Sequence, residues 1–97
     1  MVDLELLVFL KANLELPPNM TFQDDFLLQL IATARQMITR EGITLTDTAE
    51  DSSLVVMYAA YLYRKRAESQ PIMPRMLRYA LNNRVLSEKA KEGAEDV

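Results

Sequence analysis

The sequence predicts an all-α protein, a small bundle of about four helices. Ten consecutive uncharged residues, LVVMYAAYLY at positions 54–63, cannot form one face of a surface helix, so we expect a central helix surrounded by other elements. A second segment, from Asp24 onward, has the three-and-four apolar spacing of an amphipathic helix for four turns. The 97 residues, 49% of them apolar, fit one domain of modest stability.

The first two helices are predicted over residues 3–15 and 23–41. The first has a wide apolar face made of leucine, valine and phenylalanine, and Pro17 and Pro18 stop it because proline lacks a backbone donor. Thr21 stands three residues before Asp24, which is the spacing of a capping box at the start of the second helix. Gly42 tolerates a positive φ and is expected to end that helix near Glu41.

The third helix is predicted over residues 49–66, with Thr48 and Asp51 at the spacing of a second capping box. The segment 43–47 alternates β-branched residues but has no second strand to pair with, so we expect it to be short and irregular.

Pro71 and Pro74 are expected to bracket an extended turn, after which Pro74 begins a fourth helix over residues 74–87. Its predicted buried stripe is Met76, Leu77, Ala80, Leu81 and Val85, with Arg75, Arg78, Asn82 and Arg84 elsewhere on its surface. Residues 88–97 lack apolar periodicity and are either a frayed extension of the helix or a flexible polar tail, so residues 1–87 form the predicted domain.

The composition makes an enzyme an unexpected interpretation. The chain has no histidine and no cysteine, which removes the commonest general base, the thiolate nucleophile and nearly all zinc chemistry. Asp24 with Asp25 and Glu50 with Asp51 are acid pairs in first turns, where carboxylates favour the positive end of a helix. We therefore expect no catalytic residue, metal or cofactor; an enzyme acting through carboxylates is a remote alternative.

Membrane insertion is not expected either. The longest uncharged stretch, residues 52–63, is 12 residues long, well short of the roughly 20 that a membrane-spanning helix needs. Asp3 and Glu5 occupy positions where a secretory signal needs positive charge. These features predict a soluble intracellular protein.

Charge is distributed unevenly along the chain. Residues 1–50 carry three bases and eight acids, whereas residues 60–91 carry eight bases and two acids. A clustered basic surface can contact an acidic partner or a phosphate backbone, although bases at the end of the third helix also stabilise that helix. The candidate contact residues for a partner or subunit are Arg64, Lys65, Arg66, Arg75, Arg78, Arg84 and Tyr61.

Tyr61 belongs to a set of three tyrosines on the predicted central helix, with Tyr58 and Tyr63. Their angular positions spread them around the helix axis, so we expect two in the core with satisfied hydroxyl groups. The third is then available to face a neighbouring subunit, where tyrosine is enriched.

Four segments follow one another in a characteristic order. They are LELLVFLKANL, the acid-started DDFLLQLIATARQMITREG, the apolar VVMYAAYLYRKR and the proline-started MPRMLRYALNNRVLS. This order of helices, together with the YLYRKR and NNRVLS segments, resembles the gp6-like head-tail connector (adaptor) family of tailed bacteriophages over about residues 3–87.

The resemblance implies a structural virion protein. It implies a cyclic oligomer, matched to a dodecameric portal, that extends the DNA channel beneath the portal protein and joins the capsid to a tail or stopper protein. DNA would pass through without sequence-specific binding, and the protein would reside at the head-tail interface of the virion and in the host cytoplasm during assembly. The alternative is a small helical DNA-binding or regulatory module that uses the basic last helix.

Overall fold

The computed structural model of the protein describes residues 3–69 and 72–95. Within them lie four helices and no strand, which confirms the predicted all-α class; residues 43–47 are irregular, as expected. The helices are α1 (Asp3–Asn13), α2 (Asp24–Arg40), α3 (Ala49–Lys65) and α4 (Arg75–Glu95).

The central position of α3 is confirmed. Seven of its residues between Leu54 and Leu62 are buried, and the helix packs against each of the other three. The core continues into α1 and α2 through fully buried leucine and isoleucine side chains such as Leu10, Leu27 and Ile31. An apolar helix surrounded by amphipathic neighbours is the arrangement that its continuous hydrophobic sequence requires.

Ion pairs show how α1 runs relative to α2. Asp3, at the start of α1, pairs with Arg35 in the second half of α2 at 2.7 Å. Lys11, near the end of α1, pairs with Asp24 at the start of α2 at 2.6 Å. The two helices are therefore antiparallel.

Two further contacts orient α3 and α4. The hydroxyl of Tyr63, near the end of α3, donates to Oε1 of Gln23 just before α2, at 3.1 Å. Arg84 in α4 pairs with Asp51 in the first turn of α3. Consecutive helices thus alternate in direction, and α4 packs chiefly against α3.

Lys11 is a buried cation that fixes the segment between α1 and α2. Its ammonium donates to the carbonyl oxygen of Met20 at 2.8 Å and lies 3.5 Å from that of Pro18, besides its ion pair with Asp24. A buried charge is tolerated when it is paired and hydrogen-bonded, and this one meets both conditions. The segment between α1 and α2 is therefore held in place by hydrogen bonds and an ion pair with this buried side chain.

The end of α1 is a Schellman motif formed without glycine. Leu16 N–H donates to the carbonyl of Lys11 (2.9 Å), and Glu15 N–H donates to that of Ala12 (3.1 Å). Glu15 takes the left-handed conformation, with φ of 60°. The helix therefore ends at Asn13, two residues before the predicted end.

The predicted caps have mixed outcomes. Gly42 has φ of 98° directly after α2, as expected of a residue that ends a helix. Thr48 accepts a hydrogen bond from Asp51 N–H at 3.2 Å and caps α3. The Thr21 box is wrong, because Gln23 occupies the cap position of α2 and makes no side-chain cap bond.

The predicted end of the last helix at residue 87 is wrong, since α4 continues to Glu95. Residues 88–95 are mostly alanine, glutamate and lysine, which favour helix without contributing an apolar stripe. Glu88 is also held by the domain, because its carboxylate accepts from Thr44 N–H at 3.3 Å. Residues 96–97 of the predicted tail and Pro71 of the predicted turn lie outside the described residues.

The buried stripe of α4 is rotated from the predicted one. Leu77 and Leu81 are buried as expected, but Met76 is exposed and Arg84 points inward. The predictions for Met76 and Arg84 are therefore wrong, because apolar spacing alone did not include the attraction of Arg84 to a buried carboxylate on α3.

The wide apolar face of α1 is only partly buried. Leu6, Leu7 and Leu10 enter the core, while Leu4 and Val8 remain mostly exposed. Apolar residues occupy more of the circumference of α1 than α2 and α3 can cover.

Replacing Glu15 by glycine is expected to stabilise the protein by about 0.5–1 kcal/mol, because glycine adopts the left-handed conformation without steric cost. The free energy of unfolding from urea titration measures the effect. Glu15→Ala is the matched control, since it removes the carboxylate and keeps the Cβ atom, and it should not be stabilising. Equal stabilisation by both variants would contradict the backbone explanation.

Candidate functional site

A buried polar cluster joins α3, α4 and the segment between α2 and α3. Asp51 is fully buried and receives both terminal nitrogens of Arg84, with Nη2 at 3.2 Å from Oδ2. Its Oδ2 also accepts from the backbone N–H of Thr46 at 2.6 Å and from the hydroxyl of Thr46 at 3.0 Å. A carboxylate with four such donors is well compensated for its burial.

Arg84 extends the cluster to its neighbours. Its Nη2 donates to the carbonyl oxygen of Thr44 at 2.8 Å, and its Nε lies 3.5 Å from Glu88 one turn further along α4. The side chain is only 15% exposed. Arg84 is therefore committed to contacts within the chain, although the sequence suggested it as a partner contact.

The cluster shifts the pKa values of both Asp51 and Arg84. Burial alone would raise the pKa of Asp51, but hydrogen bonds from Arg84 and Thr46 outweigh it and lower the pKa to about 2 from the ordinary 3.8. The hydrogen bond to Asp51 raises the pKa of Arg84. Both groups stay charged across the physiological range, so the cluster functions as a permanent clamp rather than as an acid or base.

The three bases at the end of α3 are exposed, but they also make contacts within the chain. Arg64 donates to the backbone and side-chain oxygens of Asn13, at 3.2 and 3.3 Å, and so ties α3 to the end of α1. Arg66 lies over the rings of Tyr63 and Phe26, at 4.2 and 4.9 Å from their centres. These contacts are typical cation–π interactions.

The remaining candidates have different surroundings. Lys65 lies 5.7 Å above the ring of Tyr61, which is half-buried and packs edge-on against Tyr58 at 6.0 Å. Arg78 pairs with Glu41 at the end of α2. Arg75 is exposed at the first position of α4.

Of the three tyrosines on α3, only Tyr58 is fully enclosed. Burial raises the pKa of the Tyr58 hydroxyl, and the nearby carboxylate of Glu41 raises it further. Tyr61 and Tyr63 are half-buried, and the hydroxyl of Tyr63 bonds to Gln23. The expectation of two tyrosines in the core is therefore met for Tyr58 and only partly for Tyr61 and Tyr63.

The structure does not gather all the candidate bases into one patch. Arg64, Lys65 and Arg66 lie at the end of α3, and Arg75 opens α4, which runs back along α3. Arg84 is nine residues, about 14 Å, further along α4 and opposite the start of α3. The exposed basic surface is consequently smaller than the sequence window suggested.

Sequence reasoning missed two exposed apolar faces. The outer face of α4 consists of Met76, Tyr79 and Leu86, which are 76%, 59% and 65% exposed, with Asn83 between them. The outer face of α1 consists of Leu4, Val8 and Phe9, of which Leu4 is 66% exposed. The three-four-three spacing of positions 76, 79, 83 and 86 was the available signal.

A groove borders the outer face of α1. It has a volume of about 640 Å³ and lies between α1 and α3. Phe9 and Ala12 line it on the α1 side, and Val56, Met57 and smaller residues line it on the α3 side. The alanine and serine side chains among its lining residues leave room for apolar side chains from outside. Its shape suits contact with another helix better than enclosure of a small molecule.

Within residues 3–69 and 72–95, no group of three acidic, histidine or cysteine side chains is placed to hold a metal ion. None of the helices in this part of the chain has the length and apolar character needed to cross a membrane.

Comparison of the chain with protein-family models, with curated proteins and with solved structures gave no match.

Arg84→Met should destabilise the protein by about 3 kcal/mol, because it leaves Asp51 buried without its counter-charge. Thermal or urea unfolding measures the loss. Arg75→Met is the matched control, since Arg75 is exposed, and its effect should stay within about 0.5 kcal/mol. A loss of the same size in both variants would contradict the assignment of the clamp.

The clamp also predicts a pH dependence. The pKa of Asp51 is lower in the folded protein than in the unfolded chain, so its contribution is complete above about pH 4 and is lost as the pH falls toward 2. The shift corresponds to about 2 kcal/mol. Urea unfolding of the wild type and of Asp51→Asn should show a large difference near neutral pH that shrinks at about pH 2.5. A difference that does not change with pH would contradict the shift.

Proposed function

We propose that this protein is a structural assembly protein, a head-tail connector of a tailed bacteriophage that forms a ring beneath the portal protein. The order of its helix-forming segments and the YLYRKR and NNRVLS sequences support the proposal. Under it, the chain is not an enzyme and acts by contact with the portal, with a tail or stopper protein and with copies of itself. Its location is then the head-tail interface of the virion.

The observation that carries the proposal is the number of large apolar side chains exposed to solvent. Eight leucine, valine, isoleucine, methionine, phenylalanine and tyrosine residues are more than half exposed in the described part of a 97-residue chain. Isolated exposed apolar residues are ordinary, but six of these eight are grouped on the outer faces of α1 and α4, and such grouping marks surfaces that bind other proteins. A connector needs such surfaces on more than one side.

The charge distribution also supports this role. Exposed bases such as Lys65 and Arg75 lie near the turn between α3 and α4, while Glu5 and Asp25 are exposed elsewhere. Opposite charges on separate surfaces steer repeated association and contribute to its specificity. A DNA channel through such a ring would allow the duplex to slide.

The DNA-binding alternative has less support. A groove-reading last helix needs free arginine side chains, but Arg84 is clamped to Asp51 and Arg78 is paired with Glu41. The net charge of −3 also disfavours a tight phosphate contact.

The test of the proposed function combines the purified protein with the native portal protein. Sedimentation velocity should show a complex with the portal, and negative-stain microscopy should show a ring beneath it. In parallel, a labelled duplex titrated at physiological salt should show no tight binding. A protein that stays monomeric beside the portal would contradict the connector, and tight, salt-sensitive duplex binding would favour the alternative.

A further inference from the structure

We propose that the outer face of α4 in one copy docks on the outer face of α1 and the adjoining groove in a second copy. This inference rests on the proposed connector function, because it names the surfaces through which a ring of subunits would close.

The outer face of α4 is directed away from its own bundle. Leu77, Leu81 and Arg84 turn inward to α3, so Met76 and Leu86 lie on the opposite side of the helix. Residues spaced alternately three and four apart form a straight seam that suits packing against another helix. Nothing in the described part of the chain covers this seam.

The outer face of α1 is a comparable surface. Leu4 and Val8 are one turn apart and mostly exposed, and Phe9 joins them to the groove against α3. From Leu4 to Ala12, which lines the groove, the α1 surface spans about 12 Å, and the α4 seam from Met76 to Leu86 spans about 15 Å. The two surfaces are therefore comparable in length and both are apolar.

Charge selects a second copy as the partner. The exposed ionic residues of α4 up to residue 91 are Arg75, Lys89 and Lys91, all basic. On α1 the surface charges are acidic, because Glu5 is exposed, Asp3 is half-exposed in its ion pair with Arg35, and Lys11 is buried. Two α4 faces would repel each other, whereas the α4 face and the α1 face are complementary within a single sequence.

The contact joins two different surfaces, so it is heterologous. After the first contact one copy keeps a free α1 face and the other keeps a free α4 face, and association continues until a ring closes or a filament grows. This behaviour distinguishes the proposal from a symmetric dimer.

The test uses two double variants that introduce charge at exposed positions. Met76→Glu with Leu86→Glu disables the α4 face, and Leu4→Glu with Val8→Glu disables the α1 face. Circular dichroism and thermal unfolding verify that each remains folded. If either is unfolded, the corresponding alanine pairs replace it. Phe22→Glu is the matched control, because Phe22 is exposed but lies on neither face.

Sedimentation equilibrium should show concentration-dependent association of the wild type and of Phe22→Glu, weakened by added salt. Each double variant alone should associate about thirtyfold more weakly or worse, as expected for loss of central apolar contacts. An equimolar mixture of the two should form a heterodimer and nothing larger, because one intact α4 face meets one intact α1 face.

Several results would overturn this inference. They are a wild type that remains monomeric at about 1 mM, double variants that associate like the wild type, and a mixture that forms no heterodimer. Loss of association in the α4 variant alone would indicate pairing of α4 with itself, and the inference would fail.

The connector function can fail independently of this contact. If the protein associates with itself through the α4 and α1 faces but forms no complex with the portal, the connector function is contradicted and the α4–α1 contact is not. A portal-bound ring that forms equally well from either double variant contradicts the contact alone.

Discussion

The buried ion pair between Asp51 and Arg84 determines how the last helix sits on the rest of the protein. Its carboxylate is fully buried, so a guanidinium must reach it, and the position of Arg84 on α4 fixes the rotation of that helix about its axis. Leu77 and Leu81 then face α3, and Met76 faces solvent. The exposed seam of α4 thus lies on the side of the helix that the ion pair and the buried leucines together turn away from α3.

Internal pairing also changes how the charges of the chain should be interpreted. The window 60–91 has eight bases and two acids, but Arg84 and Arg78 are used in ion pairs within the chain. Lys11 and Arg35 are used similarly in the acidic half. The charge available to a partner is therefore carried by fewer residues than the sequence count indicates, and it lies on the outer sides of the helices.

Local patterns were sufficient to predict most of the fold. The apolar run 54–63 indicated the central helix, and Gly42 marked the end of α2, because each depends on residues close together in the sequence. The face of α4 that is buried could not be predicted in this way, since it depends on the partner of Arg84, which lies 33 residues away. Glu15 shows the same limitation, because its left-handed conformation follows from the hydrogen bonds that close α1.

The candidate contact residues show the same contrast between features set by nearby sequence and features set by tertiary packing. Residue type and position predicted that Arg64, Lys65 and Arg66 would lie at the end of a helix, which they do. Whether a base faces solvent or a neighbouring side chain is decided by tertiary packing, as with Arg66 between two aromatic rings. The outer faces of α1 and α4 were missed because the spacing of an apolar stripe, which the sequence does show, is the same whether the stripe faces the core or the solvent.

The packing of α4 chiefly against α3 has a consequence for the dynamics of the protein. The three helices α1, α2 and α3 share a core of their own, whereas α4 is retained by Leu77, Leu81, the Arg84 clamp and two surface contacts, the Arg78–Glu41 ion pair and the hydrogen bond from Thr44 to Glu88. We therefore expect partial opening of the native state to begin with detachment of α4 as a unit, ahead of global unfolding. Such a detached helix carries its buried leucines into solvent and vacates the side of α3 that it covered, leaving a place that the same helix from another chain could occupy by exchange.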